Sequence, residues 1–90
     1  MEKLIASAIQ FKMAGSGEII IMTGKRHTDI FTMMRNHGIE YLRSSAIQGF
    51  WTNTNRFVDR YEAKKIAIAA NQLIVPIERI HKYLFSEDLW

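Results

Sequence analysis

The sequence predicts a single α+β domain over residues 1–90, with an antiparallel sheet of about four strands, two main helices and a short C-terminal helix. Three observations predict this class. Two apolar, β-branched runs are joined by a glycine-rich turn, two aromatic runs are joined by an asparagine-rich turn, and a stretch with helical spacing follows each pair. The predicted order is therefore strand, strand, helix, hairpin, helix.

The first two strands are predicted from Leu4 to Phe11 and from Glu18 to Met22, with a turn at residues 14–17. Side chains alternate between the two faces of a strand, and both faces of the first strand are largely apolar. We therefore expect this strand to be covered on both sides. One face would carry Ile5, Ile9 and Phe11, and the other would carry Leu4, Ala6 and Ala8.

The first helix is predicted from Thr28, which can cap it, to about residues 36–37, and Gly38 is a plausible left-handed stop. Backbone N–H groups at its start, beside Lys25 and Arg26, would suit a phosphate group. An ordinary solvated turn explains the same residues equally well.

The central hairpin is predicted between residues 48 and 59. If residues 53–55 form a three-residue loop, Trp51 lies opposite Phe57 and Phe50 lies opposite Val58. Cations and aromatic faces this close together can hold a planar, anionic ligand. A core hairpin with solvated arginines is the commoner use of such residues.

The second helix is predicted to begin at Asp59, whose side chain and that of Glu62 form a capping box, and to run to about Gln72. Its alanine-rich side suits either a closely packed core or a subunit contact. Pro76 suits the first turn of a short C-terminal helix. The final residues, Leu89 and Trp90, are predicted to be docked, on this chain or on a neighbouring subunit.

Composition limits the function classes. The chain has 90 residues, no cysteine and a net charge of +3. Lack of thiols and three scattered histidines argue against a structural zinc site, so no metal and no cofactor is predicted. No apolar run reaches the roughly 20 residues of a membrane span, and no signal peptide is recognised. A cytoplasmic protein is expected, because the lack of cysteine fits an intracellular chain. A homo-oligomer, either a dimer or a hexamer, is expected because 48% of so short a chain is hydrophobic.

Catalytic sets are missing from the sequence. The serines lack a nucleophile-elbow motif, and Asp59 and Glu62 are better explained as helix caps than as an acid/base pair. His27 is the most interesting histidine, because it stands at a helix start beside two cations. The sequence therefore favours binding over catalysis, and the protein is predicted not to be an enzyme.

Several segments together resemble a family of small phage and prophage proteins. In chain order they are Leu4 to Phe11, Thr23-Gly24-Lys25-Arg26-His27, Gln48-Gly49-Phe50, Arg56-Phe57-Val58-Asp59-Arg60 with Glu62-Ala63, and Leu84-Phe85-Ser86-Glu87-Asp88-Leu89-Trp90. The nearest functional group that this pattern resembles is the first Thoeris anti-defence family. The sequence departs from the pattern at residues 53–55 and 71–72.

The resemblance implies a sponge that binds a cyclic ADP-ribose-type or cyclic oligonucleotide immune signal in the infected bacterial host without cleaving it. Two alternatives remain open: a phage protein-binding module that inhibits a host protein directly, and a small nucleic-acid-binding protein, although the basic residues are too dispersed for long DNA or RNA. The chemistry of the residues predicts ten ligand contacts, which are Lys25, Arg26, His27, Gln48, Phe50, Trp51, Arg56, Phe57, Asp59 and Arg60.

Overall fold

A computed structural model describes all 90 residues and confirms the α+β class. The four strands form one antiparallel sheet in the order β2-β1-β3-β4. The elements are β1 (Leu4–Lys12), β2 (Ile19–Gly24), α1 (His27–Asn36), β3 (Ile47–Thr52), β4 (Phe57–Asp59) and α2 (Arg60–Ala69). Neither ten-residue helix has the length and apolar character needed to cross a membrane.

Both helices lie on the same face of the sheet. Phe50 pairs with Ser7 on one side and with Val58 on the other, so all three side chains share one face. On this covered face, Phe50 and Val58 pack with Ala63 of α2, while Ile9 of β1 packs with Ile30 of α1. The core is therefore a single layer between the sheet and two short helices.

A β-bulge at the start of β1 changes the predicted alternation. The register with β3 shifts between Leu4 and Ala6, so one residue is added to the strand. Leu4 consequently joins the core beneath α2, whereas Ile5 is exposed. The prediction that Ile5 shares a face with buried Ile9 is wrong, because a bulge breaks the two-residue period.

The expected cover on both faces of β1 is present only on the side of the helices. Ala8 is fully buried, but the strands beside it expose Ile19, Ile21 and Ile47 on the face away from the helices. We call this the open face.

The central hairpin has the predicted register. Phe50 lies opposite Val58 and Trp51 lies opposite Phe57. The Thr52 N–H donates to the Arg56 carbonyl at 3.0 Å, which closes the three-residue loop. Asn55 adopts a φ of 62°, and asparagine is one of the few residues that tolerate this left-handed conformation.

The helix ends agree only partly with the sequence. Asp59 caps α2 as predicted, because its carboxylate accepts the Glu62 N–H at 2.8 Å, but the Glu62 side chain turns to Arg56 instead of completing the box. The N-cap of α1 is Arg26 without a side-chain bond, and Thr28 already lies within the helix. The predicted stop at Gly38 has a φ of 63°.

The segment after α2 contains less helix than predicted. The helix ends at Ala69, and the Gln72 side chain bonds both the N–H and the carbonyl of Leu4. Pro76 precedes only a 3₁₀ turn at Ile77–Arg79, and a second 3₁₀ turn occupies Ser86–Asp88. The segment between these two turns is irregular, and it places Leu84 in the core beside α2.

Candidate ligand-binding surface

The start of α1 is held by the C-terminal tail of the same chain. The Lys25 carbonyl accepts a hydrogen bond from the Ser7 hydroxyl at 2.9 Å and another from the Trp90 indole N–H. Leu89 is buried in the core beneath α2. The predicted docking of the tail is confirmed, and it takes place on its own chain.

His27 joins the start of α1 to the central hairpin. Its Nε2 lies 2.7 Å from the Gly49 carbonyl, which can only accept, so Nε2 carries the proton. Its ring also packs edge-on against Phe50, with 5.2 Å between centroids. Burial lowers the pKa of His27, and the positive charge of Arg60 lowers it further, although the Gly49 hydrogen bond and Glu87 oppose this. The ring is therefore held in its neutral form.

Arg26 stands beside His27 with an incompletely satisfied guanidinium group. Its Nη1 lies 3.6 Å from a Glu87 carboxylate oxygen, which is beyond hydrogen-bond distance. The same nitrogen is shielded from solvent and has no hydrogen-bond acceptor. A buried donor without an acceptor is unfavourable, so the pairing of Arg26 with Glu87 is incomplete in this structure.

The predicted aromatic contacts are divided between the two faces of the sheet. Phe50 is fully buried beneath His27, so its ring has no free face for a ligand in this structure. Trp51 and Phe57 are partly exposed on the open face. Gln48 lies half-buried on the covered side, because it pairs with Ile9.

Arg56 is tied to two carboxylates at the tip of the hairpin. Its Nε lies 2.6 Å from Glu2 and its Nη2 lies 3.1 Å from Glu62. Hydrogen bonds from Arg56 and then from Thr54 hold the pKa of Glu2 at about 2, and the hydrogen bonds to Glu2 and then to Glu62 raise the pKa of Arg56. Arg56 is therefore already neutralised by acids of its own chain.

Arg60 has aromatic neighbours and forms no ion pair. Its guanidinium carbon lies 5.6 Å from the ring centre of Tyr83 and 5.2 Å from that of Phe85. All three ion pairs of the protein involve Arg26 or Arg56. The two arginines that look alike in the sequence therefore differ in the structure, because only Arg60 keeps its charge available.

A basic pocket next to Arg60 contains residues that the sequence analysis did not select. It has a volume of about 330 Å³ and no acidic residue in its lining. Lys65 lies over the Tyr61 ring at 5.2 Å, and Lys82 lies over the Tyr83 ring at 5.8 Å. The lining residues are Tyr61, Lys64, Lys65, Ile68 and Lys82.

A signal for this pocket exists in the sequence. Two basic–tyrosine pairs, Arg60-Tyr61 and Lys82-Tyr83, stand 22 residues apart, and Lys64 and Lys65 follow the first pair by one helical turn. Their convergence depends on how the irregular chain after α2 returns to that helix, which residue spacing does not specify. The Leu84 N–H makes this return by donating to the Arg60 carbonyl at 3.1 Å.

A larger concavity of about 420 Å³ lies between the end of α1 and the following loop. Its charged lining combines Glu40 with Arg35 and Arg43, and it contains none of the ten predicted contacts. The basic pocket is smaller but has cations without acids. Charge complementarity to an anion therefore favours the basic pocket over the larger one.

The fold and these surfaces define a small two-layer α+β protein, with a sheet packed on two helices and with one cationic, aromatic side. The family model described as "Phage T4 y16D protein" matches residues 3–90, so the chain belongs to this phage protein family. No curated protein and no solved structure gives a significant match. The match confirms a small phage protein and does not extend to the first Thoeris anti-defence family.

Proposed function

We propose that this phage protein binds and sequesters a cyclic nucleotide immune signal, of the cyclic ADP-ribose or cyclic oligonucleotide type, without cleaving it. It would act in the cytoplasm of the infected bacterial host, as a homo-oligomer. The observation that carries the proposal is the stack of Arg60 against Tyr83 and Phe85 beside three lysines, with no carboxylate among them.

The chemistry of this surface matches that of a nucleotide. Phosphate groups need fixed cations, and Arg60 and Lys64 approach from α2 while Lys82 approaches from the chain that follows. Bases need ring faces, and the Tyr61 and Tyr83 side chains are 48% and 45% exposed. The lysines now over these rings, Lys65 and Lys82, would move to the phosphates when a base stacks there. Stacking of a base on such a ring contributes about 1–3 kcal/mol in single-stranded nucleic-acid complexes.

The cations clustered in this lining make the surface electrostatically unfavourable by itself. Like charges placed together repel one another, and no acid in the lining offsets them. A ligand with two or more phosphate charges would remove this repulsion on binding. Arg26 adds a second cationic point, because its side chain is 33% exposed and its 3.6 Å contact with Glu87 is beyond hydrogen-bond distance.

Native mass spectrometry with a panel containing cyclic ADP-ribose and cyclic di- and trinucleotides tests the proposal. We expect the protein to retain at least one member of the panel and to release it intact on heating. Arg60→Ala and Lys82→Ala should each weaken capture at least tenfold, which is the effect of losing one charge-assisted contact of about 1.4 kcal/mol or more. Lys3→Ala, which removes an exposed lysine outside the pocket lining, is the matched control.

The melting temperature of each variant must be measured with its affinity, because Arg60 also packs on two rings. Arg60→Lys keeps a cation but loses the planar group, so it should bind more tightly than Arg60→Ala and less tightly than the parent. Retention of no panel member would contradict the proposal, and recovery of a cleaved nucleotide would replace it with an enzymatic function. Equal losses in Lys3→Ala and Lys82→Ala would show that the pocket is not the site.

A further inference from the structure

The open face of the sheet is a largely apolar surface that no part of the chain covers, and its uncharged polar side chains are Gln10, between Ile21 and Ile47, and Thr23, beside Ala8. Cross-strand pairs place its side chains in rows, and five exposed or partly exposed isoleucine and aromatic side chains lie on it, distributed over β2, β3 and β4. Ile19 is 58% exposed, Ile21 36% and Ile47 45%. Trp51 and Phe57 form the next apolar row towards the hairpin tip.

The middle of the open face is flat. Gly49 faces this side, and a Cβ added there would lie 2.6 Å from the end of the Phe57 ring. The ring therefore extends across the glycine instead of standing upright from the sheet. Ala8, which pairs with Gly49, is fully buried although no helix or loop covers it. A flat sheet face is suited to packing against another sheet face.

Charge is confined to the margins of the open face. Lys12 pairs with Ile19 at one end, and Asp59 pairs with Gly49 on the edge strand β4. A twofold axis in the interface, between these two residues, would bring Lys12 of each copy towards Asp59 of the other, whose carboxylate also accepts the Glu62 N–H at the start of α2. An isologous contact needs a self-complementary surface, and this face combines an uncharged centre with margins of opposite sign.

The size of the open face suits a weak dimer. Four strands spaced about 4.8 Å apart, with about six residues each, cover roughly 20 by 20 Å. Two such faces would bury on the order of 1,000 Å² of accessible surface in total, which is at the lower end of specific interfaces. A second copy supplies a face of identical area and apolar character, whereas a foreign partner receives no charged pattern to recognise at the centre.

We propose that two copies of this protein pack open face to open face, with Ile19, Ile21, Ile47, Trp51 and Phe57 in the contact. The dimer would join the two sheets as a sandwich and leave both basic pockets, which lie on α2 across the sheet, facing outwards. The proposal rests on the sheet alone and is independent of which ligand the basic pocket takes.

Sedimentation velocity over a micromolar to submillimolar concentration series, without nucleotide, tests this arrangement. We expect a concentration-dependent dimer for the parent protein. Ile19→Lys and Ile47→Lys should each weaken it at least tenfold, because a lysine would be desolvated against an apolar partner. Ile74→Lys and Ile77→Lys are matched controls, since these isoleucines are 63% and 52% exposed and lie outside the sheet.

Every outcome bears on the proposal. A dimer weakened by the two sheet variants and retained by the two controls supports it. A parent protein that stays monomeric over the whole series overturns it, as does a dimer that resists both sheet variants or dissociates equally in the controls. Because all four isoleucines are exposed, the variants should keep the parent melting temperature, which circular dichroism checks. Nucleotide capture by a protein that stays monomeric over the whole series would overturn the dimer and leave the proposed sequestration of a nucleotide standing.

Discussion

The two faces of the central hairpin carry similar residues and have different tasks. Phe50 and Val58 point towards the helices and are fully buried, whereas their neighbours Trp51 and Phe57 point away and remain partly exposed. Because Phe50, Trp51 and Phe57 lie close together in the chain, the sequence predicts that they share one ligand site. Alternation along a strand places them on opposite sides of the sheet, so no small ligand can contact all three rings.

This difference shows that proximity in sequence predicts a hairpin better than it predicts a site. The cations behave in the same way. Arg56 and Arg60 bracket one strand, yet Arg56 is bound by Glu2 and Glu62 while Arg60 is stacked on Tyr83 and forms no ion pair. Which of the two arginines keeps its charge available depends largely on Glu2 and Tyr83, which lie far from them in the chain.

The largest expected effect is on the free energy of unfolding, and it is compared between the two faces by removing one ring from each. Phe50→Ala should lower the free energy of unfolding by about 3–5 kcal/mol, because it leaves a cavity between the sheet, His27 and α2. Trp51→Ala should cost less in a dilute monomer, since its ring is partly exposed and mainly loses its cross-strand pair with Phe57.

Urea denaturation at two protein concentrations checks both parts of this prediction. The loss caused by Phe50→Ala should not depend on protein concentration. The loss caused by Trp51→Ala should increase with concentration, because the parent gains stability from the proposed dimer that this variant weakens. Equal losses for the two variants at both concentrations would remove the distinction between the faces.

The fold was largely predictable because local signals specify it. Strand order along the chain, the hairpin register, the Asp59 cap and the stop at Gly38 each depend on residues a few positions apart. The bulge near Ile5 was missed because its sequence is as apolar as an unbroken strand. The path after Pro76 was missed because the helical spacing of its apolar residues also suits an irregular chain that reaches the core.

The candidate site was less predictable than the fold. The helix start and the hairpin do meet, through the contact between His27 and Gly49. However, the pocket with the clearest excess of positive charge combines Lys64 and Lys65 of α2 with Lys82, which becomes their neighbour only through tertiary structure. Separate short signals in the sequence, such as the two basic–tyrosine pairs, cannot show that they converge.

A smaller effect is expected at the glycine that keeps the open face flat. Gly49→Ala would place a Cβ against the Val58 carbonyl oxygen and the Phe57 ring, so β4 or the ring must move. We expect a loss of about 1–3 kcal/mol, typical of overpacking, together with weaker dimerisation. Gly15→Ala is the control, since a Cβ there meets nothing within 4 Å and only the positive φ of 88° opposes it. A Gly49→Ala loss no larger than that of Gly15→Ala, with an intact dimer, would contradict the close approach.

The smallest expected effect is the pH dependence that His27, on the covered face, gives to the free energy of unfolding. Burial lowers the pKa of His27 from its usual 6.5, so below that pH the unfolded chain binds a proton more readily than the folded one. The stability that His27 contributes is therefore fully present above about pH 6.5 and decreases as the pH falls towards the lowered pKa in the folded protein. One proton limits the slope to about 1.4 kcal/mol per pH unit.

His27→Phe keeps a ring against Phe50 but cannot titrate and loses the bond to Gly49. Urea denaturation should show that this variant is less stable than the parent at pH 7.5 and that the difference narrows towards pH 5.5. A difference that widens as the pH falls would mean that the folded protein prefers the charged imidazolium, and the neutral ring between Gly49 and Phe50 would have to be abandoned.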